Sequence, residues 1–444
     1  MPRDTDLPFA LVLLVCLAGL GWLLLSFTRQ HRETLRTQAY IFLAAFVARF
    51  VLSVVIYEFD LVRVLGDEDG SGWYSGVVLL DFWKQRHLDL FDLPVALAQA
   101  FQEQNRGYAY LLGGMFYLTD APARLPAATL NCFFGALTCV FAYRIALSLF
   151  SPWVAVRVGW AACFFPSLLV WSAQTVKEPV VILLETVALY ACVHLKLSGF
   201  TVRYILLCGL AIILLLPFRF YAAYLAAAAA MLALAMPALS KQKSSVIAGL
   251  AIAGLLIPLA ISSGVLARNE AQFERFDVNY IRTFRRDIAY KQGSGVTGNY
   301  DLQSPTGFLL GVAVGGAHLL LAPFPWQLGG ASLRMLLTLP EMLVWWWLFF
   351  WGIVPGFWLA VRRRFGEIQP LLIFIFGLGL LYSLLFGNVG LIVRQRGQLL
   401  PWLLIFAMVG LEQAMLRRRQ KQLGRTGRPL TGLDGEIQAM GSRG

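Results

Sequence analysis

The chain has 444 residues, 58% of them hydrophobic and only 14% charged, with a mean hydropathy of +0.67. These values exclude an ordinary soluble domain and indicate a polytopic membrane protein. It is all-helical, because an open strand in lipid leaves its backbone polar groups unpaired. The net charge of +12 is no nucleic-acid footprint, since the basic residues gather in short loops between apolar runs: Arg29, Arg32 and Arg36, then Lys241 and Lys243, then Arg362, Arg363 and Arg364, then Arg417, Arg418, Arg419 and Lys421.

About 20 apolar residues suffice to cross the hydrocarbon core as a helix. Taken in chain order, the apolar runs predict about eleven spans, at 8–27, 39–58, 126–149, 156–172, 179–196, 203–217, 220–237, 246–263, 336–361, 369–388 and 395–414. The first is longer than a signal-peptide core and reads as a span. With the basic loops cytoplasmic, the N-terminus and the acidic region 60–107 lie outside and the C-terminal tail inside. The chain then divides into an additional N-terminal helix and cytoplasmic loop (1–38), a transmembrane domain (39–414) with long outer loops 60–125 and 264–335, and a basic cytoplasmic tail (415–444).

Between these spans, Ser71–Gln85 and Pro94–Gln104 show helical apolar spacing broken by polar residues, which predicts two juxtamembrane helices. Tyr108–Leu118 and Gly307–Leu321 read as helices that dip into the interface, the second followed by Pro323-Phe-Pro-Trp326 at the headgroup level. All six cysteines fall in or beside apolar segments and act as small packing residues, so no disulfide framework is expected.

Three consecutive carboxylates, Asp67, Glu68 and Asp69, follow the second predicted span, with Tyr74 shortly after. Neighbouring carboxylates raise one another's proton affinity, so one of them suits a general base for a hydroxyl proton. The same residues read equally well as a solvated turn or a helix cap. Cations stand on the side that positive-inside bias depletes: Lys177 beside Glu178, Arg219 at the turn in "LLPFRFYAAY", Arg394 and Arg396 in "GLIVRQRGQLLP", and Arg282, Arg285 and Arg286 in the second long loop. An anionic ligand at the outer headgroup level accounts for the group, whereas snorkelling to lipid phosphate accounts for any one of them. Arg49, near the middle of the second span, requires a buried partner, and Glu185 is one candidate.

The histidines have no metal-ligand spacing, and no phosphate-binding loop, dinucleotide fingerprint or nucleophile elbow is present. The expectation is no cofactor and no metal. Carboxylates alone at Asp67 and Glu68 are compatible with a divalent cation, but nothing in their spacing calls for one.

The Gly66-Asp67-Glu68 element after a span, "GYAYLLGGMFYL", "RLPAATLNCFFGALTCVFAYRIALSLF", the Pro166, Ser172, Lys177, Glu178 element and the late "RQR" together resemble the GT-C membrane glycosyltransferases, nearest to family 39 and the bacterial lipid A or oligosaccharide transferase branch. The resemblance covers most of the chain after the first span. It implies a GT-C-like helix bundle in a bacterial plasma membrane, with its active site facing the periplasm or exterior. The implied activity is inverting transfer of a sugar from a polyprenyl-phosphate donor to a lipid, glycan or protein acceptor. In its terms Asp67 is the base with Glu68 beside it, and Lys177, Arg219, Arg394 and Arg396 stabilise the departing lipid phosphate. Asp69, Tyr74, Glu178, Arg282, Arg285 and Arg286 would border the substrate.

Two departures from the family pattern are an additional N-terminal span and a longer spacing from Asp67 to Tyr74, which leaves Asp69 as a competing base. A second class, an envelope polysaccharide polymerase or ligase, would rely on the arginines of the 264–306 loop instead. A lipid-linked glycan transporter is the third, disfavoured by the absence of an internal repeat and the scarcity of midplane charge.

Overall fold

The computed structural model describes residues 5–26, 32–65, 68–103, 105–199, 201–235, 254, 303–327, 339–385 and 389–426. All regular structure among them is helical. The chain runs through α1 (Leu7–Ser26), α2 (Arg32–Glu58), a single turn α3 (Val62–Leu65), α4 (Glu68–Gln85), α5 (Leu93–Ala98), α6 (Gly107–Thr119), α7 (Arg124–Leu149), α8 (Pro152–Phe164), α9 (Pro166–Ser172), α10 (Glu178–Ser198) and α11 (Val202–Ala235). After an interval outside the described residues come α12 (Pro305–Leu321), α13 (Leu339–Leu348), α14 (Val354–Leu385), α15 (Val389–Arg396) and α16 (Leu400–Thr426). A π-helical turn at Phe349–Ile353 joins α13 to α14.

Seven helical stretches among the described residues are long and apolar enough to cross a membrane. The most apolar window of α7 is 78% buried against 22% for that of α1, so α7 stands at the centre of the bundle and α1 on its rim. The predicted spans at 8–27, 39–58, 126–149 and 179–196 correspond to α1, α2, α7 and α10. The predicted span at 246–263 lies outside the described residues.

Two long helical stretches fold back on themselves. In α11 the backbone leaves helical geometry at Arg219 (φ −159°, ψ 82°), two residues after Pro217. Before that point Tyr204 stacks on His194, 4.6 Å away in the last turns of α10; after it, the Ala233 carbonyl accepts from Lys196 in the same turns. Arg219 itself reaches Glu178 in the first turn of α10. The two limbs of α11 are therefore antiparallel, matching the separate predictions at 203–217 and 220–237. In the same way α14 breaks at Arg364 (φ −137°, ψ 28°), and Phe357 meets Phe376 across the turn at 5.9 Å. That reversal divides the predicted 336–361 from 369–388.

The bundle thus has a Glu178 end and a Lys196 end. Arg203 and Arg364 fall at the Lys196 end, Arg364 over Phe150 at the close of α7. Glu412 meets Ser151 there too, which carries Arg417, Arg418 and Arg419 of α16 to the same side. Of the predicted basic loops, those of Arg364 and of Arg417 to Arg419 share one end of the bundle, whereas Arg29, Lys241 and Lys243 lie outside the described residues.

The predicted span at 156–172 is corrected in shape alone: it is a bent pair of helices. Pro166 has no amide hydrogen and holds Phe165 at ψ 119°, so α8 stops and α9 leaves at 54°. The break frees the Ala162 and Cys163 carbonyls inside an apolar bundle, where unmet acceptors are costly. Arg49 of α2 donates to both, at 3.1 and 3.0 Å, and its Nε donates to Ser172 Oγ at 2.7 Å. The expected partner Glu185 is therefore also corrected: the guanidinium caps the C-terminus of α8, where positive charge is favoured. Gly135 of α7 leaves the passage open, since a β-carbon there would sit 2.7 Å from Arg49 Nε.

The last predicted span, 395–414, begins later than expected. A non-helical turn, with the amides of Gly397, Gln398 and Leu399 each reaching three residues back, separates the short α15 from α16. Helices form at all four of the predicted shorter segments: α4 and α5, the latter extended by a 3-10 turn, then α6 and α12. α12, with 17 residues, packs against α14, with Gly315 touching the Ser383 backbone.

Arg49→Leu is expected to cost on the order of 3 kcal/mol by leaving two buried carbonyls unpaired, read as a lower unfolding midpoint in detergent. Gly356→Ala should also destabilise strongly, because its β-carbon would lie 1.9 Å from the Phe406 carbonyl oxygen. Gly379→Ala, with nothing within 4 Å, should be neutral or stabilising by up to about 1 kcal/mol. Equal effects of the two glycine variants would contradict the close approach of α14 and α16.

Candidate functional site

The five residues Ala173 to Lys177 link α9 to α10 and are almost wholly buried, so their backbone groups need internal partners. Asn131 of α7 donates to the carbonyls of Gln174 and Val176 at 2.6 and 2.7 Å, and the Thr175 amide donates to the Tyr57 hydroxyl at 3.1 Å. These contacts hold the connection rigid and set Lys177 and Glu178 at the start of α10, where Pro179 favours helix initiation.

Glu178 is buried and accepts from two guanidinium groups, Arg219 at 3.1 Å and Arg394 at 2.7 Å. One oxygen serves each arginine. Arg219 stands at the tip of the α11 hairpin and Arg394 in α15, so the carboxylate joins three segments distant in sequence. Arg219 also donates to the Tyr382 hydroxyl at 2.9 Å and to Gln395. Tyr382 in turn donates to Gln398 at 2.9 Å, and Tyr221 lies beside it. Each arginine faces an aromatic ring, Arg219 the ring of Tyr221 and Arg394 that of Trp171 at 5.4 Å.

Lys177 is half-buried and adjoins this cluster. Burial, with Arg219 and Arg394 adding repulsion against the pull of Glu178, lowers its ammonium pKa from 10.5 to about 8. Glu185, two helical turns further along α10, is fully buried, and neither carboxylate oxygen has a hydrogen-bond partner among the described residues.

Arg396 belongs to a neighbouring set. Positions two apart on a helix are separated by about 200°, so Arg396 turns away from Glu178. It donates to the Ala322 carbonyl at 2.8 Å and to Met342 Sδ, and it lies over the Trp345 ring. Close by, the Ser167 hydroxyl bonds the buried Glu341 carboxylate. Between the two sets lies a small open cleft of about 20 Å³, roughly the room that one water molecule needs, bordered by Arg49, Ser167, Trp171, Glu178, Arg394 and Gly397.

Of the candidate residues read from the sequence, Lys177, Glu178, Arg219 and Arg394 are brought together, and Arg396 stands on the other side of α15. Tyr74 is exposed on α4. Asp67, Arg282, Arg285 and Arg286 lie outside the described residues, as do the side chains of Glu68 and Asp69. α4 nevertheless begins one residue after Asp67 and touches the connection that ends in Lys177: a β-carbon on Gly72 would sit 2.9 Å from the Thr175 carbonyl oxygen. Among the described residues, no group of three His, Cys, Asp or Glu side chains is arranged to hold a metal.

No protein-family model and no curated protein matches this chain.

The sequence reading did not single out Tyr382, Gln395, Gln398 or Asn131. Two signals for them were present. Gln395 and Gln398 belong to the "RQRGQ" run already chosen for its arginines, and Asn131 and Tyr382 are polar groups inside strongly apolar helices, where burial obliges each to find a partner.

The unfolded chain holds the Lys177 proton up to a higher pH than the folded one, so stability should rise with pH between about 8 and 10.5 as the buried charge is removed. Lys177→Met is accordingly expected to unfold at a higher temperature than the wild type at pH 7. Their difference should narrow as the pH passes above about 8. A pH-independent difference would mean that the ammonium is not constrained as described.

Proposed function

We propose that the protein is a membrane glycosyltransferase that transfers a sugar from a polyprenyl-phosphate donor to a lipid, glycan or protein acceptor, at the outer face of a bacterial plasma membrane. The observation that carries this reading is the cluster of Lys177, Arg219 and Arg394 at one end of an apolar bundle, three cations with one ion-paired carboxylate, Glu178, among them. Buried positive charge in that ratio calls for an anion, and a lipid phosphate is the anion available where a bundle of spanning helices meets the headgroups.

The chemistry follows from the charge arrangement. The acceptor hydroxyl attacks the anomeric carbon of the donor, and Asp67 takes its proton. The bond between that carbon and the phosphate oxygen breaks, and the electron pair leaves with the phosphate. Inversion results because attack and departure lie on opposite faces of the sugar ring. Negative charge grows on the phosphate as the bond lengthens, and Lys177, Arg219 and Arg394 stabilise it most at that moment. The contact of α4 with the connection ending in Lys177 supports the two halves of the machinery being neighbours. The donor's tail lies along apolar helix surface, which explains why the chemistry is housed in a membrane bundle.

Transfer of radiolabelled sugar from a panel of polyprenyl-phosphate sugars, in membranes containing the protein, tests this directly. Asp67→Asn is expected to lower transfer by about a hundredfold or more with insertion unchanged, and Arg394→Gln by about a hundredfold. Full activity of Asp67→Asn would remove that residue as the base. A wild type inactive with every donor would reject the reading.

A further inference from the structure

Glu178 presents a physical problem for any anion that binds at this end of the bundle, because its carboxylate already occupies both arginines. The two arginines are not equivalent. Arg219 is anchored by Tyr382 and Gln395 as well as by Glu178, and its side chain is only 3% exposed. Arg394 belongs to the short α15, borders the cleft and is 13% exposed, whereas Glu178 behind it is 2% exposed. An entering anion therefore meets Arg394 first, and meets it already engaged.

We propose that Glu178 is an internal counter-ion, held in place of the substrate's phosphate and exchanged for it at Arg394. The inference rests on the proposed phosphate-binding function of the same site. In the empty state the carboxylate bridges Arg219 and Arg394, which keeps two guanidinium groups from lying together uncompensated in an apolar bundle. When a lipid phosphate enters the cleft, Arg394 turns its outer N–H groups from the Glu178 oxygen to a phosphate oxygen. Glu178 keeps Arg219, whose remaining bonds fix it at the floor. Each cation then retains one anion, so no bare charge is created. The exchange couples occupancy of the cleft to α15, since an ion pair between α15 and α10 is released.

The sign of one substitution separates this role from the ordinary one of orienting the arginines. If Glu178 competes with the ligand, Glu178→Gln removes that competition at Arg394 and tightens anion binding; if Glu178 merely positions Arg394, the same change weakens it. Binding of farnesyl phosphate to the detergent-solubilised full-length chain is measured by calorimetry, with inorganic phosphate alongside. The expected result is about tenfold tighter binding of farnesyl phosphate by Glu178→Gln than by the wild type, and about tenfold weaker binding by Arg394→Gln. Inorganic phosphate should bind the wild type far more weakly than farnesyl phosphate, and Glu178→Gln should tighten both by a similar factor.

Equal or weaker binding by Glu178→Gln overturns the exchange while leaving the phosphate site intact. Absence of binding by folded wild type and both variants rejects the phosphate reading itself. Should Glu178→Gln not fold, the wild type labelled with carbon-13 at glutamate carboxyls serves instead. Its infrared difference spectrum on adding farnesyl phosphate should show a shifted carboxylate band as Arg394 departs, and an unshifted spectrum with bound ligand overturns the proposal.

Discussion

The Glu178 carboxylate between Arg219 and Arg394 is the interaction on which the site end of this molecule depends. It ties the start of α10 to the tip of the α11 hairpin and to α15, segments separated by 41 and 216 residues. Charges buried among apolar helices are tolerated only in mutual compensation. The hairpin tip and α15 must therefore come to α10, and Tyr382, Gln395 and Gln398 assemble around the same guanidinium to satisfy its remaining donors.

A second requirement of the same kind operates halfway down the bundle. Pro166 breaks one helix path and turns the chain by 54° shortly before the buried connection into Lys177. The break exposes carbonyls that water cannot reach, and Arg49 satisfies them from the neighbouring helix. Asn131 and Tyr57 do the equivalent for the backbone of residues 174 to 176. The irregular backbone beside the cleft is thus possible because polar side chains from α2 and α7 supply what a regular helix would have supplied internally.

Preorganisation follows from this arrangement. Arg219 is held by Glu178, Tyr382 and Gln395 together, so under the proposed function it needs little rearrangement as charge develops at the floor of the cleft. Arg394 at the mouth is the more exposed of the two arginines, and burial beside Arg219 and Arg394 lowers the Lys177 ammonium pKa to about 8. Under the proposed function, a buried floor with a more exposed rim suits the admission of a charged lipid head.

The sequence by itself determined that the chain is a bundle of membrane helices, where most of those helices run, and that basic residues collect at one end. Each of these depends on composition and period over about 20 residues, which local sequence carries. The reversals at Arg219 and Arg364 were legible too, because a polar residue interrupts the apolar run there. Tertiary structure decided the partners. Whether Arg49 met Glu185 or a pair of carbonyls depended on where Pro166 bent the chain. Whether Arg394 or Arg396 faced Glu178 depended on the rotation of one short helix, and residues two apart point in nearly opposite directions whatever their likeness in sequence. Burial of charge states only that a partner must exist; packing of distant segments determines which one it is.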